Sequence, residues 1–261
     1  MRTPSLRHVL WAACLVSKVC LAQESALPTI STERPSVGAG PDLVRPGWMV
    51  VENGIGVSRA GGSWAFDGTE TMIRYGLNSR LELRLSPTDL DTEIGALHMR
   101  REDGGVSIKT PLPSWKAMPV ALIVGSTIPV ASSGHGSGAW DPTFALTTVH
   151  SVSSRLNVGA TWNVYWTSSP EAERARSQQW AFDAGFATSA TTSTFVEWAP
   201  LVSTDASKRG YTADAGWSWT RHGMRQWDVR AGYSRSGTTA GMVGGVGYSL
   251  MLPRLGLGWK R

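Results

Sequence analysis

The sequence predicts an all-β protein, a single-chain transmembrane antiparallel β-barrel of about twelve strands. Three observations carry that prediction. Short stretches repeatedly alternate apolar with small or polar residues, the period of a strand with one face in an apolar phase. Trp is abundant at 13 residues against 5 Tyr and 5 Phe, and Gly reaches 29 of 261 residues, above the ordinary share of roughly 7%. After residue 22 the apolar runs stop at about seven residues, as in 118–124 with its Pro119, where a membrane helix needs about 20. Membrane helices are thereby excluded and membrane strands are not. A hydrophobic content of 41% and a charged content of 17% also argue against disorder.

The first 22 residues read as a secretory signal peptide. Arg2 and Arg7 make a basic start, residues 9–16 an apolar core, and Cys20-Leu21-Ala22 a small-residue cleavage site before Gln23. A lipoprotein reading at Cys14 would place Trp11 where a small or aliphatic residue belongs. Removal of this segment takes away Arg2, Arg7 and Lys18 but no acid, so the net charge falls from +5 to +2. Both cysteines, Cys14 and Cys20, leave as well, so the mature chain is expected to hold together without disulfides. The basic pI belongs partly to the signal and implies no nucleic-acid partner.

Residues 23–46 are rich in Pro, Ser and Gly without periodicity and read as an extended periplasmic or lumenal segment. The barrel is expected over 47–261. The clearest alternation is 179–187, with Trp180, Phe182, Ala184 and Phe186 on one face. Next come 157–166 with Val158, Ala160, Trp162, Val164 and Trp166, then 226–234 with Trp227, Val229, Ala231 and Tyr233, and 211–219. Twelve strands are predicted, near 47–58, 69–77, 79–86, 94–101, 117–125, 143–150, 155–166, 178–187, 192–199, 210–219, 225–234 and 241–250. An even number brings both termini to one side, as closure of a bacterial single-chain barrel requires. Short turns near 78, 151–154, 188–191 and 220–224 should lie on that side. Longer links at 59–68, 126–142, 167–177 and 200–209 should lie on the other. The long 102–116 link falls on the short side and breaks the rule. The last strand could instead include Leu255, Leu257 and Trp259, and both registers remain open.

A soluble sandwich would hide aliphatic residues and expose charge. Here the face opposite the apolar rows is mostly Gly, Ala, Ser, Thr and Asn. Trp recurs near the ends of the apolar rows, at Trp162, Trp166, Trp180, Trp198, Trp217, Trp219 and Trp227, the pattern of a membrane-interface belt.

Thr32-Glu33-Arg34-Pro35, followed by Pro46-Gly47 and by Val50-Val51-Glu52-Asn53-Gly54, resembles the opening of an outer-membrane transporter family of the phenol-degradation MetA-pathway type. Members usually carry Asp where Glu33 stands and a second acid where Ser36 stands. The motif covers about 25 residues, and beyond it the agreement is in length, strand rhythm and the Asp of Trp227-Asp228. The resemblance implies a single-chain barrel in the outer membrane of a Gram-negative bacterium and says little about substrate.

The lumen is where chemistry is expected. Early strands should turn Arg74, Arg80, Arg84, His98 and Arg100 inward beside Glu70 and Glu82, and later ones Asp183, Glu197, Asp214, Asp228 and Arg230. A basic wall would then face an acidic one, either as a rigidifying ion-pair network or as a transverse field across an open pore. Thr32, Glu33, Arg34 and Pro35 could form a lumenal plug with Arg34 reaching Asp214 or Asp228, or stay in the periplasm as a leader. Neither His spacing nor any phosphate-binding loop points to a metal or cofactor. Ser and His near each other (His150 with Ser151, Ser153 and Ser154; His222 with Ser218) leave a lipid-modifying hydrolase as a minor alternative. The expected function is a passive channel for small organic or polar solutes, with a structural or surface-exposed barrel lacking an open pore as the alternative. Expected partners are outer-membrane lipids, small solutes and the barrel assembly machinery.

Overall fold

The structure, a computed structural model, describes residues 29–253 except 61, 69, 89, 94–99, 117, 133–135 and 170–171. The signal segment, His98 and the residues after 253 lie outside this set. Fifteen strand segments are described. They are β1 (Met49–Ala60), β2 (Ser63–Gly68), β3 (Met72–Asn78), β4 (Leu81–Ser86), β5 (Leu90–Glu93), β6 (Arg100–Arg101), β7 (Gly104–Trp115) and β8 (Met118–Ile128). Then follow β9 (Pro142–Ser151), β10 (Leu156–Ser169), β11 (Ala172–Ala187), β12 (Thr192–Ser203), β13 (Gly210–Arg221), β14 (Arg225–Ser236) and β15 (Thr239–Leu252).

Twelve of these form a closed antiparallel ring, in the order β1, β3, β4, then β7 to β15, which returns to β1. The closing pair runs from Met49↔Leu252 to Ala60↔Gly241. That pairing makes β15 the closing strand over Thr239–Leu252, and Leu255, Leu257 and Trp259, which the alternative register would have used, lie outside the described residues. The remaining three segments lengthen the early staves. β3 pairs with the first residues of β1, Met49 to Glu52, and β2 pairs with its last, Gly56 to Ala60. β2 then pairs with β5, and β5 with β6.

Several sequence expectations change here. The 102–116 link is the strand β7, and the strand placed at 94–101 is reduced, within the described residues, to the two residues of β6. Pro111 and Pro113 with Gly104-Gly105 read as loop signals. Yet β4 pairs with β7 only as far as Lys109, so the prolines occupy a stretch bonded to β8 alone, where a missing N–H is tolerated. The 59–68 link is likewise mostly β1 and β2. The links at 167–177 and 200–209 shrink because β10, β11 and β12 run farther than their apolar rows. One long link persists, 129–141. It lies at the upper rim, opposite the lower rim where β1 begins and β15 ends.

The wall is polar inside and apolar outside. Glu52, Arg74, Glu82, Lys109, Thr147, Thr161, Asp228 and Ser249 are buried, while Ile55, Leu83, Leu85, Ile108, Val124, Val196, Val229 and Val246 are exposed. Water as the outer solvent would make this burial pattern strongly unfavourable; a lipid phase makes it the stable one. Outside, Phe144, Trp162, Trp180, Phe182 and Trp198 form one continuous row, ring centroids 5.7–6.1 Å apart, with Phe144 edge-on to Trp162 and the other rings stacked. Their mutual contact comes from strand register, since Trp162 faces Trp180 and Phe182 faces Trp198 across neighbouring strands. A small apolar cluster of Ile30, Val44, Val50 and Met251, flanked by Trp48 and Met224, sits at the lower rim.

Candidate functional site: a chain segment across the lumen

Residues 29–46 enter the barrel at the lower rim, cross its interior and return. Ile30 N–H donates to Gly223 O (2.6 Å) in the β13–β14 turn, and Gly47 N–H donates to Gly76 O (2.7 Å). Ile30 and Val44 belong to the same apolar cluster, so both ends of this strap are anchored at one rim.

Pro and Gly leave the strap without secondary structure of its own, so its backbone groups need partners from the wall. Glu52 Oε2 accepts the N–H groups of Glu33 and Arg34, both at 2.9 Å. Gln226 Nε2 donates to Thr32 Oγ1 (2.6 Å). Val44 N–H donates to Glu82 (2.7 Å), and Lys109 donates to Asp42 O (2.7 Å). On the far side Glu197 accepts from Val37 N–H (2.8 Å), Gly38 N–H (2.9 Å) and the Ser36 hydroxyl. Beyond it, Ala39 N–H donates to Thr161 Oγ1 (3.0 Å), and the Ala39 carbonyl accepts from Thr161 and Thr147. Pro35, in a cis peptide with Arg34, lies between the two anchored stretches.

Two charged residues of the strap, Glu33 and Arg34, point to opposite chemistry. Glu33 meets Arg84, Lys109 (3.0 Å) and Arg74 (3.6 Å). Burial pushes its carboxyl up, but Arg84, Arg74 and Lys109 outweigh that and hold it well below the usual carboxylate range. Arg34 meets Glu70 and Asp228 (3.5 Å), and its guanidinium also donates to Val246 O (3.4 Å). Gly54 and Gly247 face each other in register beneath it, and a Cβ on either would run into the guanidinium.

The residues singled out from the sequence distribute as follows. Arg74 is held between Glu52 (3.0 Å) and Glu82 (2.8 Å), Arg84 lies beside it on β4, and Arg230 joins Glu70 (3.0 Å) to Asp214 (3.7 Å). Asp214 therefore meets Arg230 and not Arg34. Asp183, Glu197 and Asp214 are direct cross-strand neighbours on β11, β12 and β13. Arg80 is exposed in the β3–β4 turn and does not face the lumen. Arg100 sits on β6, in the extension above the ring, and makes none of the ion pairs among the described residues. His150 and His222 stand exposed at the lower rim, and neither bonds to a serine among the described residues. Trp180, Trp198, Trp217, Trp219 and Trp227 are exposed on the outer wall, whereas Trp162 and Trp166 are half-buried. Trp219, Trp227 and Tyr248 gather beside the lower rim, and the stacked row of Trp162, Trp180 and Trp198 lies farther up.

Lys109 and Glu52 escaped the sequence reading as site residues. Lys109 lay in the supposed link, although Gly105, Ser107 and Lys109 alternate with Val106 and Ile108 as an inward face should. Glu52 stood out only as part of the opening motif.

Two hollows flank the strap. The upper one, about 410 Å³, includes Arg84, Ser107, Ile123, Asn163 and Tyr165 in its lining. The lower one, about 480 Å³, includes Thr148, Asn157, Asp183, Ser193 and Gln226. Glu33, Arg34, Ser36, Gly38 and Ala39 line both. The crossing is thus the partition between an upper and a lower vestibule.

No family model matches this chain, and no curated protein matches it. Solved structures do. An outer-membrane channel from Pseudomonas putida aligns with a TM-score of 0.62 at 10% identity, over 85% of this chain and 100% of its own. The NanC porin aligns at 0.57 and 12% identity, over 78% and 100%, and the KdgM porin at 0.54 and 9%, over 77% and 98%. At these identities the likeness is one of fold alone, that of a closed antiparallel β-barrel.

Proposed function

We propose that this chain is a passive channel of the Gram-negative outer membrane for small organic or polar solutes, and that the 29–46 strap is its internal constriction. One observation carries the reading: a wall apolar outside and charged inside encloses two vestibules divided by a single strap. The fold shared with an outer-membrane channel and two porins supports it. The Thr32–Pro35 motif, with Glu52 and Gly54 of the first strand, supports membership of the MetA-pathway type family. Those motif residues are the ones that seat the strap: Glu33 and Arg34 provide the charges, Glu52 the acceptor and Gly54 the space.

On this reading residues 1–22 direct export and are removed. The barrel assembly machinery inserts the remainder. The outer aromatics meet lipid in two groups, one at the lower rim and one higher up. Planar-bilayer recording of refolded protein tests the function. Discrete conductance steps are expected, and their absence at every voltage overturns the channel reading. Heat-modifiable migration in detergent tests the barrel separately.

A second reading has its own support. The strap closes the middle of the lumen with paired charges, and Asp103 pins the 129–141 link through Ala131 N–H (3.1 Å) and Ser137 N–H (2.7 Å). A closed structural barrel presenting that link outward would look the same, and the bilayer experiment separates the two.

A further inference from the structure

We infer that the seat occupied by Glu33 and Arg34 is an exchangeable binding site for a small zwitterionic solute carrying a carboxylate and a guanidinium. This rests on the channel reading and names a solute class for it. The argument starts from what the wall lacks without the strap. Arg84 and Lys109 are 5% and 0% exposed, and among the described residues Glu33 is the only acid either one meets. Arg74 differs, because Glu52 and Glu82 neutralise it whether or not Glu33 is present. On the other side Asp228, 1% exposed, has Arg34 as its only ion-pair partner among the described residues. Glu70 is shared between Arg34 and Arg230.

Withdrawal of the strap therefore leaves two cations and one acid of the lumen wall without a counter-charge, and a solute that pairs with them again regains the charge-assisted hydrogen bonds the strap supplied. A solute bearing only a carboxylate would compensate Arg84 and Lys109 and leave Asp228 bare. A solute bearing both groups satisfies both sides at once. The shape favours a flat cation: Gly54 and Gly247 leave an open slot over which the Arg34 guanidinium lies, with Glu70, Asp228 and the Val246 carbonyl around it. The seat borders both vestibules, so a solute reaches it from either end. Glu33 and Arg34 then act as an internal competitor whose place the solute takes.

Competition gives the inference an unusual signature. Replacing residues of the strap should tighten solute binding, whereas replacing the seat should weaken it. The experiment is calorimetric titration of the refolded full chain in detergent micelles with 4-guanidinobutyrate, with butyrate and butylguanidine as singly charged comparisons. The zwitterion should bind and each comparison should bind at least about tenfold more weakly, since either leaves one half of the seat unpaired. In Glu33→Gln/Arg34→Gln its affinity should rise about tenfold or more, because the occupied fraction of the seat no longer discounts it. Adding Asp228→Asn to that background should remove the gain.

Unchanged or weaker binding in the double variant, or butyrate binding as tightly as the zwitterion, overturns the inference. Should the double variant fail to give a heat-modifiable barrel, Glu33→Asp, which keeps the charge and shortens its reach, should show a smaller tightening in the same direction; a weakening there overturns the inference equally. Bilayer recordings keep the two claims apart. Channels without zwitterion binding remove the seat alone, and binding without channels removes the channel reading alone.

Discussion

From β2 to β6 the staves come in pieces, as short as two residues in β6, and the interior of this sector, with β7, is crowded with Arg74, Glu82, Arg84 and Lys109. From β8 to β15 they run unbroken for 10 to 16 residues. Their interior is built of Ala121, Ala145, Thr147, Thr161, Ala181 and Ser249, with four carboxylates set among them. The outer surfaces differ in step, because the stacked aromatic row lies entirely on β9 to β12. The contrast shows where each half finds its cohesion. Long continuous ladders and outer ring stacking suffice for the second half. The first half depends on ion pairs, and two of its cations depend on a residue that is not part of the wall at all. The strap is thus the counter-ion that joins a basic sector to an acidic one.

The largest effect should come from removing that counter-ion. Glu33→Gln leaves Arg84 and Lys109 without an acid, and breaking a buried ion pair from one side costs about 3–5 kcal/mol. The strap should leave the lumen, and single-channel conductance should rise severalfold; an unchanged conductance would show that the first half holds without it. Glu197→Gln attacks the other half and should do less. Glu197 accepts Val37 N–H on one oxygen and Gly38 N–H on the other, so the glutamine keeps an acceptor for only one of them and loses the charge assistance, a change of about 1–3 kcal/mol. Frequent brief openings are expected in place of a stable open state.

Acid should reproduce the first variant gradually. The folded Glu33 carboxyl lies far below the ordinary value of 4.5, so its contribution is complete above that value. It is lost as pH falls toward the folded value. The strap should therefore stay seated above about pH 5, and conductance should rise below about pH 4, a rise that Glu33→Gln should abolish. The smallest effect concerns the field of the second half. In a Glu33→Gln background, Asp214→Asn with Asp228→Asn should shift the reversal potential modestly toward anions. An unmoved potential would mean that these carboxylates do not face the permeating ions.

The two halves also differ in how far they can be read from sequence. The strands near 155–166, 178–187, 210–219 and 225–234 announce themselves because each keeps its alternation for nine or more residues, and the structure extends them without moving their faces. The first half is obscure for the physical reason that makes it distinctive. β2 is too short to show a period beside Gly61-Gly62, and β7 carries prolines that a partly unpaired strand tolerates. The inward charges of Arg74 and Arg84 follow from strand parity alone. Their pairing does not, because Glu33 reaches them across a segment with no periodicity to align. Arg100 fails for a related reason, since parity places a residue on a face but cannot say that its strand segment has left the ring.

Both ends of the strap lie at one rim, Ile30 against Gly223 and Val44 against Val50 and Met251. Among the described residues, no part of the chain therefore passes through the cylinder from end to end. Such a loop can be laid in after the β1–β15 seam has zipped shut and lifted out again without unzipping it, so the path is free of threading. Insertion of the wall and seating of the strap become separable events, each reversible without undoing the other.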